Sequence, residues 1–467
     1  MALQLNREIK KEVHCMKKMR RAAALLLAVL MSFTAAACDQ SAGTASAGAS
    51  SGETASQAET GGETSQPQED VTLTWWVANT VTADEQKLPQ DQWYITKCIE
   101  RFEEANPGTH VKFTLQTDGM QTIQDFKAAV VAGNGPDIVE MFSGPNMLSV
   151  SEGLLPLNDY ITEEDRANIV GWNTVSEDMD DSKAIYAYPY PSQSAVMIGY
   201  NKQILSDCGY DLEANPPQTI EELESIFAAV RDKGYLPIHT DEAFPITFYY
   251  MFAYGWVQGT GTDGIYAHTK DKTSYLDDEA FMRMLNKYST WYSEGFFNED
   301  AATSADAINA FLQGECAFYC VGLWDFPTCT ETMGDNFNII PIPSFEKGGE
   351  PGIVGGIGSG LSVANYTQHP DLAVKLVQHI TSKEEMKEFY QVAPGIPMRT
   401  DVTVEEIGLA DDPLYTKAIA LRSNIVYWAD NVMSAEAAST FSQFASQVLV
   451  GNMTAEDLAR QMDESQQ

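Results

Sequence analysis

Few residue patterns in this chain could support catalysis. A G-x-S-x-G nucleophile motif occurs once, as GASSG at Gly48–Gly52. Such a serine is activated at a turn between a strand and a helix, whereas this one lies in a stretch of Ser, Gly, Thr and Glu that predicts neither. H-E-x-x-H zinc motifs and phosphate-binding loops are absent. The motifs therefore predict a protein that is not an enzyme, although glycosidase carboxylate pairs have no sequence signature that would exclude them.

Cysteine and histidine spacing does not predict a metal or cofactor site. The cysteines after Cys38 form no C-x-x-C pair, and the six histidines are scattered; the cysteines are Cys98, Cys208, Cys316, Cys320 and Cys329. Cys316 and Cys320 lie four residues apart in a predicted strand, so both are expected on the same side. We interpret these thiols as small buried apolar groups, with a disulfide or a reactive thiol as the open alternative.

Cys38 is placed for a different reaction, acylation of its thiol. The basic cluster in MKKMRR, which begins at Met16, precedes a 16-residue apolar run that ends in small residues. This run is shorter than the roughly 20 residues that span a membrane and is typical of an export signal. The sequence AAAC at residues 35–38 resembles the bacterial lipobox, with Ala35 where Leu is usual. We predict a signal peptide over 1–37, translated from Met16, and lipid attachment at Cys38, with ordinary signal cleavage near Ala37 as the alternative.

The residues after Cys38 predict a tether and then a large acidic folded region. Residues 39–70 lack aromatic side chains and a periodic apolar face, so they cannot build a core. The chain holds 29 basic and 66 acidic residues, of which 7 and 2 lie in residues 1–37. That leaves 22 basic against 64 acidic residues, a net charge of −42, in the chain from Cys38 onward. A field of this sign excludes nucleic acid and anionic lipid surfaces as partners.

Strands and helices alternate through the region from about Val71 to Gln467. VTLTWWVA at 71–78 and PDIVEMF at 136–142 read as strands, and an amphipathic helix with Trp93, Thr96, Ile99 and Phe102 on one side lies between them. Thr219 with Glu222, and Ser382 with Glu385, have the spacing of capping boxes before apolar stripes. The alternation predicts an α/β fold with mainly parallel sheets.

Eight stretches in series give this chain a family resemblance. They are FEEANPGTHVKFTLQT, FKAAVVAGNGPDIVEMFSG, EGLLPLNDYI, AIYAYPYPSQSAVMIGYNKQIL, PPQTIEELESI, AFLQGECAFYCVGLW, GGIGSGLSVANYTQHPDLAVKLVQHITSKEEMKEF and GIPMR. Together they resemble the extracellular solute-binding proteins of ABC importers, in the maltose-binding-protein-like group. The resemblance covers nearly all of residues 71–467. It implies a two-lobe periplasmic-binding-protein-like (type II) fold that closes on its ligand about three chain crossings.

The resemblance implies specific boundaries. The crossings fall near residues 189–195, 342–356 and 393–399. The N-terminal lobe then comprises 71–190 and 357–394, and the C-terminal lobe comprises 191–356 and 395–467. The first crossing contains Pro189 and Pro191, which restrict the backbone to extended conformations, and the second is rich in Gly. This Gly-rich segment does not match G-x-G-x-x-G, and a strand follows it, so it does not predict a nucleotide site.

Aromatic residues near the implied cleft predict a carbohydrate ligand, because sugars offer apolar faces for stacking and hydroxyl groups for hydrogen bonds. Alternation along the first strand sends one of Trp75 and Trp76 into the core. Trp93, Trp172, Trp291 and Trp428 are interpreted as structural. The candidate ligand-binding residues are Trp75, Trp76, Asn79, Phe142, Ser143, Tyr188, Tyr190, Trp256, Trp324, Gly356, Gly358 and Arg399.

The sequence thus predicts a lipid-anchored monomer on the outer face of the cytoplasmic membrane. It is expected to capture a mono- or oligosaccharide and to deliver it to ABC permease subunits, without a cofactor. A peptide or polyamine ligand remains an alternative within the binding class. An exported glycosidase is the alternative from outside that class.

Overall fold

A computed structural model describes residues 70–116, 119–240 and 246–466. The predicted signal peptide, Cys38 and the tether as far as residue 69 lie outside the described residues. Within these ranges the strands are β1 (Val71–Val77), β2 (Thr109–Leu115), β3 (Ile138–Phe142), β4 (Tyr188–Asn201), β5 (Leu236–Ile238), β6 (Cys316–Gly322), β7 (Phe337–Ile340), β8 (Ile353–Val363), β9 (Ile396–Pro397) and β10 (Ile425–Tyr427).

The strands form one mixed sheet around two long strands. The order is β2-β1-β3-β8-β4-β6-β5, with β10 beside β8 and with β7 and β9 beside β4. The β1–β2, β1–β3, β5–β6 and β8–β10 pairs are parallel, but β4 and β8 run antiparallel to each other. In addition, β8 pairs antiparallel with β3, and β4 pairs antiparallel with β6, β7 and β9. The prediction of mainly parallel sheets is therefore wrong, because five of the nine strand pairs in the described ranges are antiparallel.

Helices cover the sheet on both sides. They are α1 (Tyr94–Ala105), α2 (Gly119–Ala132), α3 (Pro145–Leu148), α4 (Glu163–Asn168), α5 (Lys202–Asp207), α6 (Ile220–Asp232), α7 (Ile246–Lys270), α8 (Glu279–Ser293), α9 (Ala307–Leu312), α10 (Phe326–Met333), α11 (Pro370–Ile380), α12 (Lys383–Val392), α13 (Pro413–Ala420), α14 (Ala429–Val432), α15 (Ala435–Leu449) and α16 (Ala455–Ser465). No helix in the described ranges is long and apolar enough to span a bilayer.

Two hydrophobic clusters lie on this framework. The first contains Trp75, Phe102 and Tyr390, and the second contains Phe227, Trp256 and Trp291. The first cluster does not stop at the predicted lobe boundary, because buried residues of 307–339 also belong to it. Apolar contact therefore continues through the crossing strands, within one folded unit.

One buried ion pair ties distant parts of the first cluster together. Glu385 on α12 accepts hydrogen bonds from Nε and Nη2 of Arg101 on α1, both at 2.6 Å. The Glu385 side chain is buried, whereas Arg101 is partly exposed. Paired charges of this kind fix orientation because a lone buried carboxylate would be costly. The pair thus positions α12, whose C-terminal end borders the cavity described below.

The helix signals are confirmed in part. The buried face of α1 is Tyr94, Ile95, Cys98, Ile99 and Phe102. The predicted face began at Trp93, so the observed face starts one residue later. Thr219 caps α6 as predicted, and Glu222 accepts from the backbone N–H of Gln218. Ser382 caps α12.

The five described cysteines form no disulfide bond with one another. Cys316 packs in the first cluster and Cys320 in the second. The two side chains were predicted on the same side of the strand, but their surroundings differ. Burial raises the pKa of the Cys316 thiol to about 12 and that of Cys320 still further. Both thiols are therefore protonated and act as small apolar groups.

Candidate functional site

A cavity of about 730 Å³ opens where the crossing strands meet the ends of β1, β3 and β6. Its volume falls within the roughly 300–1,000 Å³ of ligand pockets. The wall is built from loop and element ends of both chain halves: Asn79, Thr82, Ala83, Asp84, Lys87, Phe142, Tyr190, Pro191, Ser192, Ser194, Tyr250, Leu323, Trp324, Pro327, Thr328, Gly358, Ser359, Phe389, Val392, Ala393, Pro394, Gly395, Tyr415, Trp428, Asp430 and Asn431.

Trp324 presents the largest exposed apolar surface of this wall. Its side chain follows directly after β6 and is 51% exposed. A Cβ atom at Gly322 would lie 2.2 Å from the Trp324 ring, so only glycine lets the ring fold back across the strand end. The Asp325 carboxylate accepts the backbone N–H of Gly322 at 2.8 Å and fixes this turn. Burial raises the pKa of Asp325 to about 6.

Trp428 also lies in the wall, but it is 6% exposed and belongs to the second hydrophobic cluster, in keeping with its interpretation as a structural residue. Its indole N–H donates to the carbonyl of Gly356 at 3.3 Å, and its ring packs edge-on against Tyr250. Gly356 has φ +106° and does not line the cavity, but it lets β8 pass beneath Tyr427, which a Cβ would meet at 3.2 Å. Gly358, which does line the cavity, lies beside the Trp428 indole.

Polar groups of the wall are held by hydrogen bonds to the crossing strand β8. Asn79 Nδ2 donates to Ser359 Oγ at 3.1 Å. Asn431 Nδ2 donates to the carbonyl of Gly358 at 3.1 Å. Ser143 is buried and lies outside the wall, but its hydroxyl contacts Tyr427 Oη at 2.7 Å and Asn431 Nδ2 at 3.4 Å. Ser143 therefore supports the amide of Asn431 from behind.

Seven of the twelve predicted ligand-binding residues do not line the cavity, namely Ser143, Gly356 and the five described next. Trp75, Tyr188 and Trp256 are fully or almost fully buried in the hydrophobic clusters, and Trp76 packs against the first cluster. The Trp256 indole is already engaged by Asp278 at 2.7 Å. Arg399 is 2% exposed and pairs with Asp165 and Asp401. Tyr190 lines the cavity but is fully buried, so it forms part of the cavity floor.

Two buried carboxylates, Glu140 and Glu85, anchor the wall segment 78–88. The sequence analysis did not predict either of them as part of the site. Glu140 on β3 accepts the backbone N–H of Ala78 at 3.0 Å and the hydroxyl of Thr80 at 2.8 Å. Glu85 accepts the backbone N–H groups of Thr82 and Tyr94. Glu140 is fully buried, and burial raises the pKa of its carboxyl. The signal that could have found it is an acid in the middle of the apolar strand PDIVEMF.

Cys98, His379 and Glu385 bring three possible metal-ligand atoms within 4.8 Å of one another. Both oxygens of Glu385 already accept hydrogen bonds from Arg101. The guanidinium thus supplies the positive charge that this carboxylate requires, and the arrangement does not fit a cation.

Two hydrophobic clusters joined by crossing strands, with an aromatic-lined cavity at the crossing, define a two-lobe α/β ligand-binding protein. Residues 97–417 match the model of the bacterial extracellular solute-binding protein family. The chain belongs to this family, whose members act outside the cytoplasm and bind solutes rather than transform them.

The similar proteins agree with this assignment. A galactooligosaccharide-binding protein of Bacillus subtilis is 23% identical over 64% of this chain and 68% of its own length. A maltodextrin-binding protein of Bacillus subtilis is 25% identical over 66% of this chain and 70% of its own length. The solved structure of a chitin oligosaccharide binding protein superposes with a TM-score of 0.71 at 21% identity, covering 85% of this chain and 98% of that one, which shows the shared fold.

We expect Glu140→Met to loosen the wall segment 78–88 while leaving global stability nearly unchanged. Hydrogen bonds to a charged group are worth roughly 1.5–3 kcal/mol, and a local loss of about 1.4 kcal/mol gives tenfold faster opening. For the whole protein, the cost of leaving the Ala78 N–H and the Thr80 hydroxyl unpaired is offset by no longer burying a carboxyl group. Hydrogen exchange read by mass spectrometry should therefore show about tenfold faster exchange confined to these amides.

Glu140→Gln keeps one acceptor oxygen and should give an intermediate exchange rate. Glu104→Met, at an exposed position of α1, is the matched control and should leave the segment unchanged. Unchanged exchange in 78–88, or faster exchange spread over the whole protein, would contradict the anchoring role.

Proposed function

We propose that this chain is the substrate-binding lipoprotein of an ABC importer. It captures a carbohydrate outside the cell and delivers it to permease subunits in the membrane, with no catalytic step of its own. The observation that carries this proposal is the half-exposed Trp324 ring at the cavity, opposite hydrogen-bonding groups from the other chain half.

The cavity offers both kinds of contact that a sugar requires. Trp324 supplies an exposed face for the apolar C–H surface of a pyranose. Asn79, Ser359 and Asn431 are held in place by β8 and supply donors and acceptors for hydroxyl groups. The two relatives from Bacillus subtilis carry sugar-binding names, which supports the same ligand class.

Calorimetry against a panel of saccharides tests this proposal. The panel should contain galacto-, malto- and chito-oligosaccharides, with a peptide and a polyamine as the other ligand classes. We expect saturable binding of a saccharide and no release of reducing sugar during long incubation. Binding confined to the peptide or the polyamine would contradict the carbohydrate assignment. Hydrolysis of a saccharide would show that the protein is an enzyme rather than a binding protein.

Trp324→Ala should weaken saccharide binding without destabilising the protein. Stacking that covers about 80–100 Å² of the ring, at about 25 cal/mol per Å², is worth roughly 2–2.5 kcal/mol. This corresponds to a dissociation constant about 30–70-fold weaker. Because the ring is 51% exposed, the melting temperature of the free protein should change little.

Trp291→Ala is the control, since Trp291 is buried in the second hydrophobic cluster and does not line the cavity. It should lower the melting temperature and keep the affinity. A large fall in melting temperature for Trp324→Ala, with affinity retained, would show that Trp324 stabilises the fold and does not contact the ligand.

Ligand binding should also compact the protein. We propose that the lobes bounded at the three crossings close about β4 and β8, because a bound sugar favours the arrangement in which both walls contact it. Small-angle scattering should show a smaller radius of gyration with the saccharide identified by calorimetry than with a non-binding sugar of the same panel. An unchanged radius at saturation would contradict the clamp.

Cys38→Ala should release the protein from the membrane into the medium with its binding intact. Two or three acyl chains on Cys38 would hold the chain far more firmly than one chain does. Fractionation and immunoblotting measure the distribution. Cys208→Ala removes a half-buried thiol and should leave the distribution unchanged; retention of Cys38→Ala at the membrane would exclude the lipid anchor.

A further inference from the structure

Two exposed apolar side chains line the cavity. Among the described residues, the large apolar side chains that are exposed are Leu88, Leu115, Val131, Trp324 and Val392. Of these, Trp324 and Val392 belong to the cavity wall, and they come from different predicted lobes. The flat ring of Trp324 suits stacking on a sugar. Val392 has a branched aliphatic side chain without a flat face, so its surface matches a methyl group rather than a sugar ring.

Val392 belongs to an apolar corner of the wall, which comprises Phe389, Val392, Ala393 and Pro394. None of these side chains can donate or accept a hydrogen bond. Pro394 also lacks a backbone N–H, and the backbone N–H of Ala393 already donates to the carbonyl of Phe389 at 2.9 Å. The apolar corner therefore offers a bound hydroxyl group no side-chain partner, and neither Ala393 nor Pro394 offers it a backbone donor.

Hydrogen bonds and ring packing fix the apolar corner beside the cavity floor. The hydroxyl of Tyr390 donates to the carbonyl of Pro191 at 2.8 Å and accepts the backbone N–H of Met398 at 2.9 Å. These bonds join the end of α12 to the crossing strand β4. The Phe389 ring packs against Tyr190 of the floor, with ring centroids 6.0 Å apart. A ligand that rests on the floor therefore has the apolar corner at its side.

The fixed polar groups of the wall lie elsewhere, along β8. Asn79 donates to Ser359 of that strand, and Asn431 donates to the carbonyl of Gly358. Ser192 packs against the residue that follows the apolar corner and so brings a hydroxyl group to its border. At the apolar corner itself, a sugar hydroxyl would lose water without gaining a partner. A methyl group there would instead be buried favourably.

We propose that this cavity selects saccharides that carry a methyl-terminated substituent, such as an acetyl group, and that Val392 recognises the methyl group. The inference rests on the proposed carbohydrate function and adds the class of substituent on the ligand. Burial of one methyl group favours binding about fourfold. A hydrophobic site disfavours an otherwise similar group that carries an added hydroxyl by up to about 100-fold.

Three series of trisaccharides test the selection by calorimetry with the wild-type protein. The first comprises triacetylchitotriose, its N-glycolyl analogue and cellotriose, which carries hydroxyl groups in place of the amides. The others are maltotriose and galactotriose, each unmodified, O-acetylated or O-glycolylated at the primary hydroxyl of the non-reducing residue. A glycolyl group differs from an acetyl group by one hydroxyl on its terminal carbon. In the series that binds most tightly, we expect the acetylated member to bind about tenfold more tightly than the other two.

Val392→Thr should reduce this preference to about twofold or less, because it replaces one methyl group of the apolar corner by a hydroxyl group. Val131→Thr makes the same substitution outside the wall and should keep the preference. Val392 is 41% exposed and Val131 is 86% exposed, so both variants should melt close to the wild-type temperature. Melting curves measure this.

Equal affinity for the acetylated and glycolylated members, or tighter binding of the unmodified saccharide, would overturn the inference while the carbohydrate function stood. A preference that Val392→Thr leaves unchanged would overturn the role of Val392. Absence of binding for every saccharide would overturn the proposed function, and the inference with it.

Discussion

The antiparallel pairing of β4 with β8 is the interaction on which the rest of the structure depends. The register joins Tyr188 to Leu361 at one end and Val196 to Val354 at the other, with a shift between Tyr190 and Gln193. Residues of both strands belong to both hydrophobic clusters, and from Ala195 to Ile198 successive residues of β4 alternate between the first cluster and the second. The cavity lies beside the register shift, where regular pairing is interrupted and Pro191, Ser192 and Ser194 reach its wall.

The wall of the cavity is rigid because its polar groups are bound from behind. Glu140 and Glu85 hold the segment 78–88, and Ser143 with Tyr427 holds the amide of Asn431. A saccharide bound as proposed would meet donors and acceptors that are already oriented, so less ordering entropy would be lost on binding. The Trp324 ring is the exception, since it is positioned by the glycine beneath it and exposes about half of its surface.

The sequence predicted the fold well because strand and helix signals are local. Glycine and capping residues bounded β1, α1, β3 and α6 close to their observed ends, and the family resemblance supplied the order of the crossings. The direction of pairing at the centre was not predictable from alternation alone. Antiparallel contact between β4 and β8 depends on residues more than 150 positions apart.

The candidate site was predicted less completely, for a physical reason. Trp324, Asn79, Phe142 and Gly358 were found at the wall because each lies at or near the end of a strand. Alternation indicated that one of Trp75 and Trp76 points inward, but it could not show that helices also cover the other face. Trp256 was misplaced because an aromatic residue on a helix can face the core or a cavity with the same local sequence pattern. Arg399 was misplaced because one of its acidic partners, Asp165, is distant in sequence.

The interleaving of the chain has a consequence for how the molecule is made. β3 pairs with β8, and α1 is fixed by Glu385 on α12, so the first hydrophobic cluster needs segments from both ends of a long stretch of chain. Contacts of such large sequence separation form slowly, because the intervening loop must close first. The earliest-synthesised strands cannot complete their sheet until β8 has emerged. This chain has a predicted export signal. Slow folding would leave such a nascent chain unfolded, and so able to cross the membrane through the translocation machinery.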